Sequence, residues 1–153
     1  MAFTVTFIED WDSRLREAVI TAFAALQSQS DITLPEEGNV NLKLVDDTEI
    51  AALNEQYTGN AYATDVLTFN YREDGVTTGD VADIAMSLET ATRQATEAGV
   101  SQAEEVALLV VHGLLHVLGY DHQTAADRRT LEGLQRRILV SAGFTDREFP
   151  WID

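Results

Sequence analysis

The chain has 153 residues, the size of one domain with one core, and its 45 % hydrophobic and 24 % charged residues are those of an ordinary globular protein. It has no cysteine, which excludes disulfides, thiolate metal sites and cysteine nucleophiles and leaves only nitrogen and oxygen to hold a metal. The net charge of −16, from 26 acids against 10 bases, repels polyanions at long range and on charge alone ranks nucleic acid low as a partner, with DNA not expected at all.

Phe3 to Ile8 is β-branched and aromatic and reads as a strand. Leu15, Val19, Ala22, Phe23 and Leu26 then recur at helical spacing. A polar loop from Gln27 to Asn39 leads into Val40–Val45, which alternates like a half-buried strand. Asp46 with Glu49 predicts a capping box opening a helix that turns Ile50, Leu53 and Tyr57 inward and stops near Gly59. Val66–Tyr71 and Val81–Met86 are two more strands around a polar turn. Ser87 caps a helix that Gly99 closes, and Ser101 with Glu104 predicts a second capping box. The helix it opens is apolar and ends near Gly119. A last helix runs from about Thr124 to Ala142, burying Leu131, Leu134 and Ile138.

Four strands interleaved with about five helices predict an α+β fold, one small mixed four-stranded sheet with helices packed around it, as a single domain over residues 1–153. The longest uncharged apolar run, Val106–Leu118, has thirteen residues and two histidines. A bilayer span needs about 20, so this run reads as a buried core helix. The first residues lack a basic segment followed by a long apolar one. A cytoplasmic protein without membrane contact is expected.

All three histidines lie within eleven residues, His112-Gly-Leu-Leu-His116-Val-Leu-Gly119-Tyr-Asp-His122. Positions i and i+4 share one helix face, one turn apart, so two imidazoles can reach one metal. Six residues further is about 600° around a continuing helix, so the chain must turn to bring His122 back. Gly119 sits where that turn is needed and accepts the positive φ of a sharp helix exit. This predicts one divalent metal, zinc by expectation, on His112, His116 and His122. Imidazole also suits nickel, copper and iron. Three neutral imidazoles leave an open fourth position, the arrangement of a catalytic site that activates water for hydrolysis.

The spacing is similar to that of the metzincin zinc proteases, which carry Glu directly after the first histidine as general base. Here that position is Gly113. The cage is present without the peptidase base. Asp121, beside His122, is the candidate carboxylate to orient an imidazole or act as base; the competing reading is a local turn hydrogen bond. Arg128, Arg129, Arg136 and Arg137 fall opposite the buried leucines of the last helix. The first three are candidates to contact substrate. The competing reading is a solvated face paired with acids, and Glu132 lies within the arc.

The segment VVHGLLHVLGYDH resembles the signature of the YbeY family of endoribonucleases and rRNA maturation factors, at His112, Gly113, Leu115, His116, Gly119, Tyr120, Asp121 and His122. Leu53-Asn54 with Tyr57, Thr64-Asp65-Val66-Leu67-Thr68-Phe69 and Ala82-Asp83-Ile84 with Ser87 resemble further family blocks. The resemblance implies a zinc-dependent endoribonuclease that hydrolyses single-stranded RNA with a metal-activated water, in rRNA maturation and ribosome quality control. Its partners would be rRNA, the ribosome or ribosomal proteins, and the three histidines its zinc ligands. It also implies an arginine directly after Tyr57 that helps act on RNA. This chain has Thr58 there, with no arginine closer than Arg72. Ala63 and Ala82 replace the family's proline and glycine.

Two other functions fit the residues. One is a metallohydrolase of another substrate class, with Asp65, Asp83 or Asp121 standing in for the missing base. The other is a non-catalytic ribosome assembly factor that retains its metal and meets basic ribosomal protein, a reading motivated by Thr58 and the −16 charge.

Overall fold

The structure, a computed structural model, describes residues 2–148. Its elements are β1 (Phe3–Phe7), α1 (Ser13–Gln27), β2 (Gly38–Val45), α2 (Asp47–Thr58), β3 (Val66–Asn70), a 3₁₀ turn (Tyr71–Asp74), β4 (Asp80–Ser87), α3 (Leu88–Ala98), α4 (Gln102–Val117) and α5 (Ala125–Ser141). The sheet order is β1-β2-β4-β3. β1, β2 and β4 run parallel, and β3 lies antiparallel on the β4 edge. This is the mixed four-stranded α+β arrangement with five helices that the residue pattern predicts.

Alternation along the strands sorts the two faces. Val40, Leu42, Ala82, Ile84, Met86 and Val66 are buried on the face that meets α4 and α1. α4 is the central helix. Twelve of its sixteen residues are buried, because α1, α3, α5 and the sheet all pack on it. Each large aliphatic side chain buried this way contributes roughly 1.5–3 kcal/mol. An all-round apolar helix is therefore stable only in this position.

The other sheet face is polar. Thr4 and Thr6 donate to Asn39 Oδ1, Asn39 donates to Asn41 and Asp80, Asn41 donates to Asp83 Oδ1 (3.0 Å), and the Tyr71 hydroxyl donates to Asp83 Oδ2 (2.5 Å). A groove of about 510 Å³ opens here, lined by Lys43, Glu49, Leu53, Phe69, Tyr71 and Asp83 among others.

Three local expectations change. Ile50 is fully buried, but Tyr57 is 60 % exposed, because α2 lies near the sheet's open edge; its ring packs edge-on against Phe69 at 4.3 Å. Each predicted capping box is only half made. Asp46 and Ser101 accept from the N–H groups of Glu49 and Glu104. The returning glutamates are drawn elsewhere, Glu49 to Lys43 and Glu104 to the Thr145 backbone and hydroxyl. Among the described residues, no single helix is long and apolar enough to cross a membrane.

Candidate metal centre

α4 carries His112 and His116 one turn apart near its C-terminal end. The helix leaves by a Schellman motif. Gly119 adopts φ 102°, its N–H donates to His116 O, and the Tyr120 N–H reaches back to Leu115 O, both at 3.0 Å. Only glycine takes this conformation without strain. The turn sends the chain back past the helix end, so that the His122 ring stands 6.3 Å from the His112 ring, nearly parallel to it. Side chains from β3 and the 3₁₀ turn cover the last carbonyls of α4. Asn70 Nδ2 lies 3.4 Å from His116 O and 3.5 Å from Val117 O, and an Arg72 guanidinium N–H donates to Val117 O at 2.8 Å. The helix exit is thus fixed by several hydrogen bonds.

His112 is 5 % exposed. Its Nδ1 meets the side-chain carbonyl oxygen of Gln135 on α5 at 2.6 Å. A carbonyl only accepts, so Nδ1 carries the proton and Nε2 the lone pair. Burial pushes the imidazole pKa down to about 4, against the Gln135 hydrogen bond that raises it, and the neighbouring His122 and His116 push it down further. At neutral pH His112 is therefore uncharged with an oriented lone pair, the state a metal requires. Its Nε2 has no partner among the described residues, yet no buried side-chain nitrogen or oxygen is orphaned. The atom faces accessible space.

Among the described residues, no three His, Asp or Glu side chains converge tightly enough to hold an ion as they stand. A ring bound to zinc at about 2.0–2.1 Å has its centroid about 3.2 Å from the ion, so two rings on one tetrahedral ion stand about 5 Å apart. The His112–His122 separation of 6.3 Å exceeds this by about 1 Å. His122 lies on the loop after α4 and is partly exposed. Imidazole nitrogens suit a divalent cation, and His112 is already held neutral for one, but the three rings are not drawn together on a single point.

Asp121 accepts from the Gln123 backbone N–H at 3.4 Å, a local turn contact rather than a hold on an imidazole. The orienting role that the sequence offered to Asp121 is filled, for His112, by Gln135. One signal for it was visible: a polar residue inside the Leu131-Leu134-Ile138 stripe. Asp83 projects to the sheet face opposite α4, and Asp65 accepts from the Val66 N–H and from Gln94, so neither points at the histidines as a base. Thr58 turns its hydroxyl back to Asn54, donating to the backbone and side-chain oxygens at 2.8 Å.

The α5 arginines do not form an open basic patch. Arg136 pairs with Asp146 and Arg137 with Asp31. Arg128 donates to His122 O at 3.2 Å, and Arg129 lines a surface hollow with Glu132 and Glu148.

A family model described as Endoribonuclease YbeY matches residues 6–143. The endoribonuclease YbeY of Moorella thermoacetica is 47 % identical over 116 residues, covering 70 % of this chain and 74 % of its own. That of Geobacillus thermodenitrificans is 32 % identical over 155 residues, covering 95 % and 99 %. A Thermotoga maritima protein solved in solution shares the fold, with a TM-score of 0.57 at 23 % identity over 97 % of this chain and 99 % of that one. With the family model spanning nearly the whole chain and relatives of this similarity over most of their length, the chain belongs to the endoribonuclease YbeY family, enzymes that hydrolyse RNA.

Proposed function

We propose that this chain is a metal-dependent endoribonuclease of rRNA maturation that cuts single-stranded RNA in the cytoplasm, holding one zinc ion with His112, His116 and His122. The observation that carries the metal is His112. It is a buried, neutral imidazole, held by Gln135 with its lone pair turned to open space beside two further histidines. A bound divalent ion supplies Lewis acidity to a phosphoryl oxygen and acidifies water.

The protein's own part is positional. Gln135 fixes the His112 tautomer, the Gly119 turn returns His122, and Asn70 and Arg72 hold the end of α4. Ribosomal RNA within a ribosomal particle suits the −16 charge better than naked RNA does, since basic ribosomal proteins then offset the repulsion. Asp121 and the arginines Arg128, Arg129 and Arg136 remain candidates for the base and for substrate contact.

The test is cleavage of a labelled single-stranded RNA by purified protein, by the protein with chelator and by His116→Ala. Cleavage by the first alone is expected. Equal cleavage by all three would mean a contaminant and would overturn the reading. Rescue of an rRNA-processing defect by a metal-site variant would instead favour the non-catalytic assembly factor, which Thr58 and the acidic charge motivate.

A further inference from the structure

We propose that Arg72 is the residue of this chain that grips a backbone phosphate of single-stranded RNA beside the histidines. This rests on the reading of the site as an RNA site.

Arg72 sits in the 3₁₀ turn after β3, and one N–H of its guanidinium donates to Val117 O, the residue after His116. The contact places a cation at the same end of α4 as the histidines and holds it there. A guanidinium has five donors in a rigid fork that matches phosphate, and this contact uses one of them. The side chain is partly exposed.

Its charge is also uncommitted. Among the described residues Lys43, Arg93, Arg136, Arg137 and Arg147 each pair with a carboxylate, and Arg72 pairs with none. Arg16 and Arg129 share that property, but Arg16 lies over the Phe7 ring, and Glu132 and Glu148 line the hollow beside Arg129. The competing role for Arg72 is a simple helix cap. A helix C-terminus carries only about −0.5 charge, so the cap leaves roughly half a positive charge unbalanced. Thr58 offers no cation and has already spent its hydroxyl on Asn54. In a protein of net charge −16, a fixed guanidinium without a carboxylate partner, at the end of α4 that carries the histidines, is where a phosphate is drawn.

The experiment measures binding of a fluorescent single-stranded RNA oligomer by anisotropy across a salt series, in a His116→Ala background that leaves the RNA uncut. Arg72→Ala should weaken binding about ten- to hundredfold, the worth of a charge-assisted hydrogen bond. It should also flatten the log–log salt slope by about 0.7, the loss of one phosphate contact on a single strand. Arg72→Lys should keep the slope while losing part of the affinity. In the cleaving protein Arg72→Ala should raise KM more than it lowers kcat, and Thr58→Arg should restore part of the loss.

A lowered melting temperature with affinity and slope unchanged would make Arg72 a cap only and overturn the assignment. If Arg72→Ala fails to fold, Arg72→Gln and Arg72→Lys decide by the same slope. Absence of RNA binding by protein that still carries Arg72 would overturn the RNA site itself, and the assignment with it.

Discussion

A methyl group on Gly113 would lie 2.8 Å from Ile84 Cδ1 and 3.1 Å from Thr68 Oγ1, so this glycine is where α4 touches the sheet. The position that holds the general base in metzincin-type proteases is here turned into the core, away from any substrate. Gly113→Ala gains about 1 kcal/mol of helix propensity but must displace packed side chains at a cost of about 1–3 kcal/mol. A net loss of stability in urea denaturation is expected. Gly113→Glu should lose far more and gain no peptidase activity. A stable, soluble Gly113→Glu protein would show that the contact is looser than this.

Gln135→Leu removes the acceptor that holds His112 Nδ1. Zinc affinity, measured by competition with a chromophoric chelator, should fall about 10–100-fold, the usual effect of deleting such an outer partner. In the unsubstituted protein, zinc at a hundred times its Kd should add about 2.7 kcal/mol of stability, and chelator should remove it. The metal-free chain should stay folded, because the Gly119 turn has its own hydrogen bonds. Unchanged zinc affinity in Gln135→Leu would separate Gln135 from the metal.

Tyr71 gives the fold a signature at high pH. Its hydrogen bond to Asp83 pushes the phenol pKa up to about 12, with burial and the Asp83 charge adding to the shift. A phenol with a raised folded-state pKa contributes stability that is fully present below about pH 10 and lost as pH rises to about 12. In an ultraviolet phenolate titration, one of the four tyrosines should titrate late. Asp83→Asn should return it towards the ordinary value. Four tyrosines titrating together would show that the Tyr71–Asp83 bond does not persist in solution.

Glu105 is 1 % exposed, and Arg147 from the C-terminal segment reaches in to pair with it. Burial raises the Glu105 pKa, and the Arg147 guanidinium opposes that rise. Arg147→Ala strands a buried carboxylate and should cost about 3–5 kcal/mol at pH 7. A protonated Glu105 needs no counter-charge, so the cost should shrink as pH is lowered. Urea denaturation of both proteins at pH 7 and pH 5 measures it. An equal cost at both values would mean that packing, not charge, explains the loss.

Much of this was legible in short-range pattern. Asp46, Ser87, Ser101 and Thr124 each cap the helix they were expected to open, and Gly99, Gly119 and Gly143 each follow a helix end at positive φ. The histidine spacing and the turn at Gly119 were equally local. What stayed hidden depends on contacts far apart in sequence. Gln135 meets His112 across 23 positions, and Arg72 meets Val117 across 45. The Gly113–Ile84 contact needs the sheet in place before the missing side chain has a meaning. Tyr57 was misjudged because helical spacing reports which residues share a face without saying whether anything covers the end of that face.

Tyr71 and Arg72 are neighbours in one four-residue turn, yet one is tied to Asp83 in the polar groove and the other to the last carbonyl of α4. The turn therefore ties the two sides of the sheet together. The same four residues that close the groove at Asp83 thus also cover the helix end that carries His116.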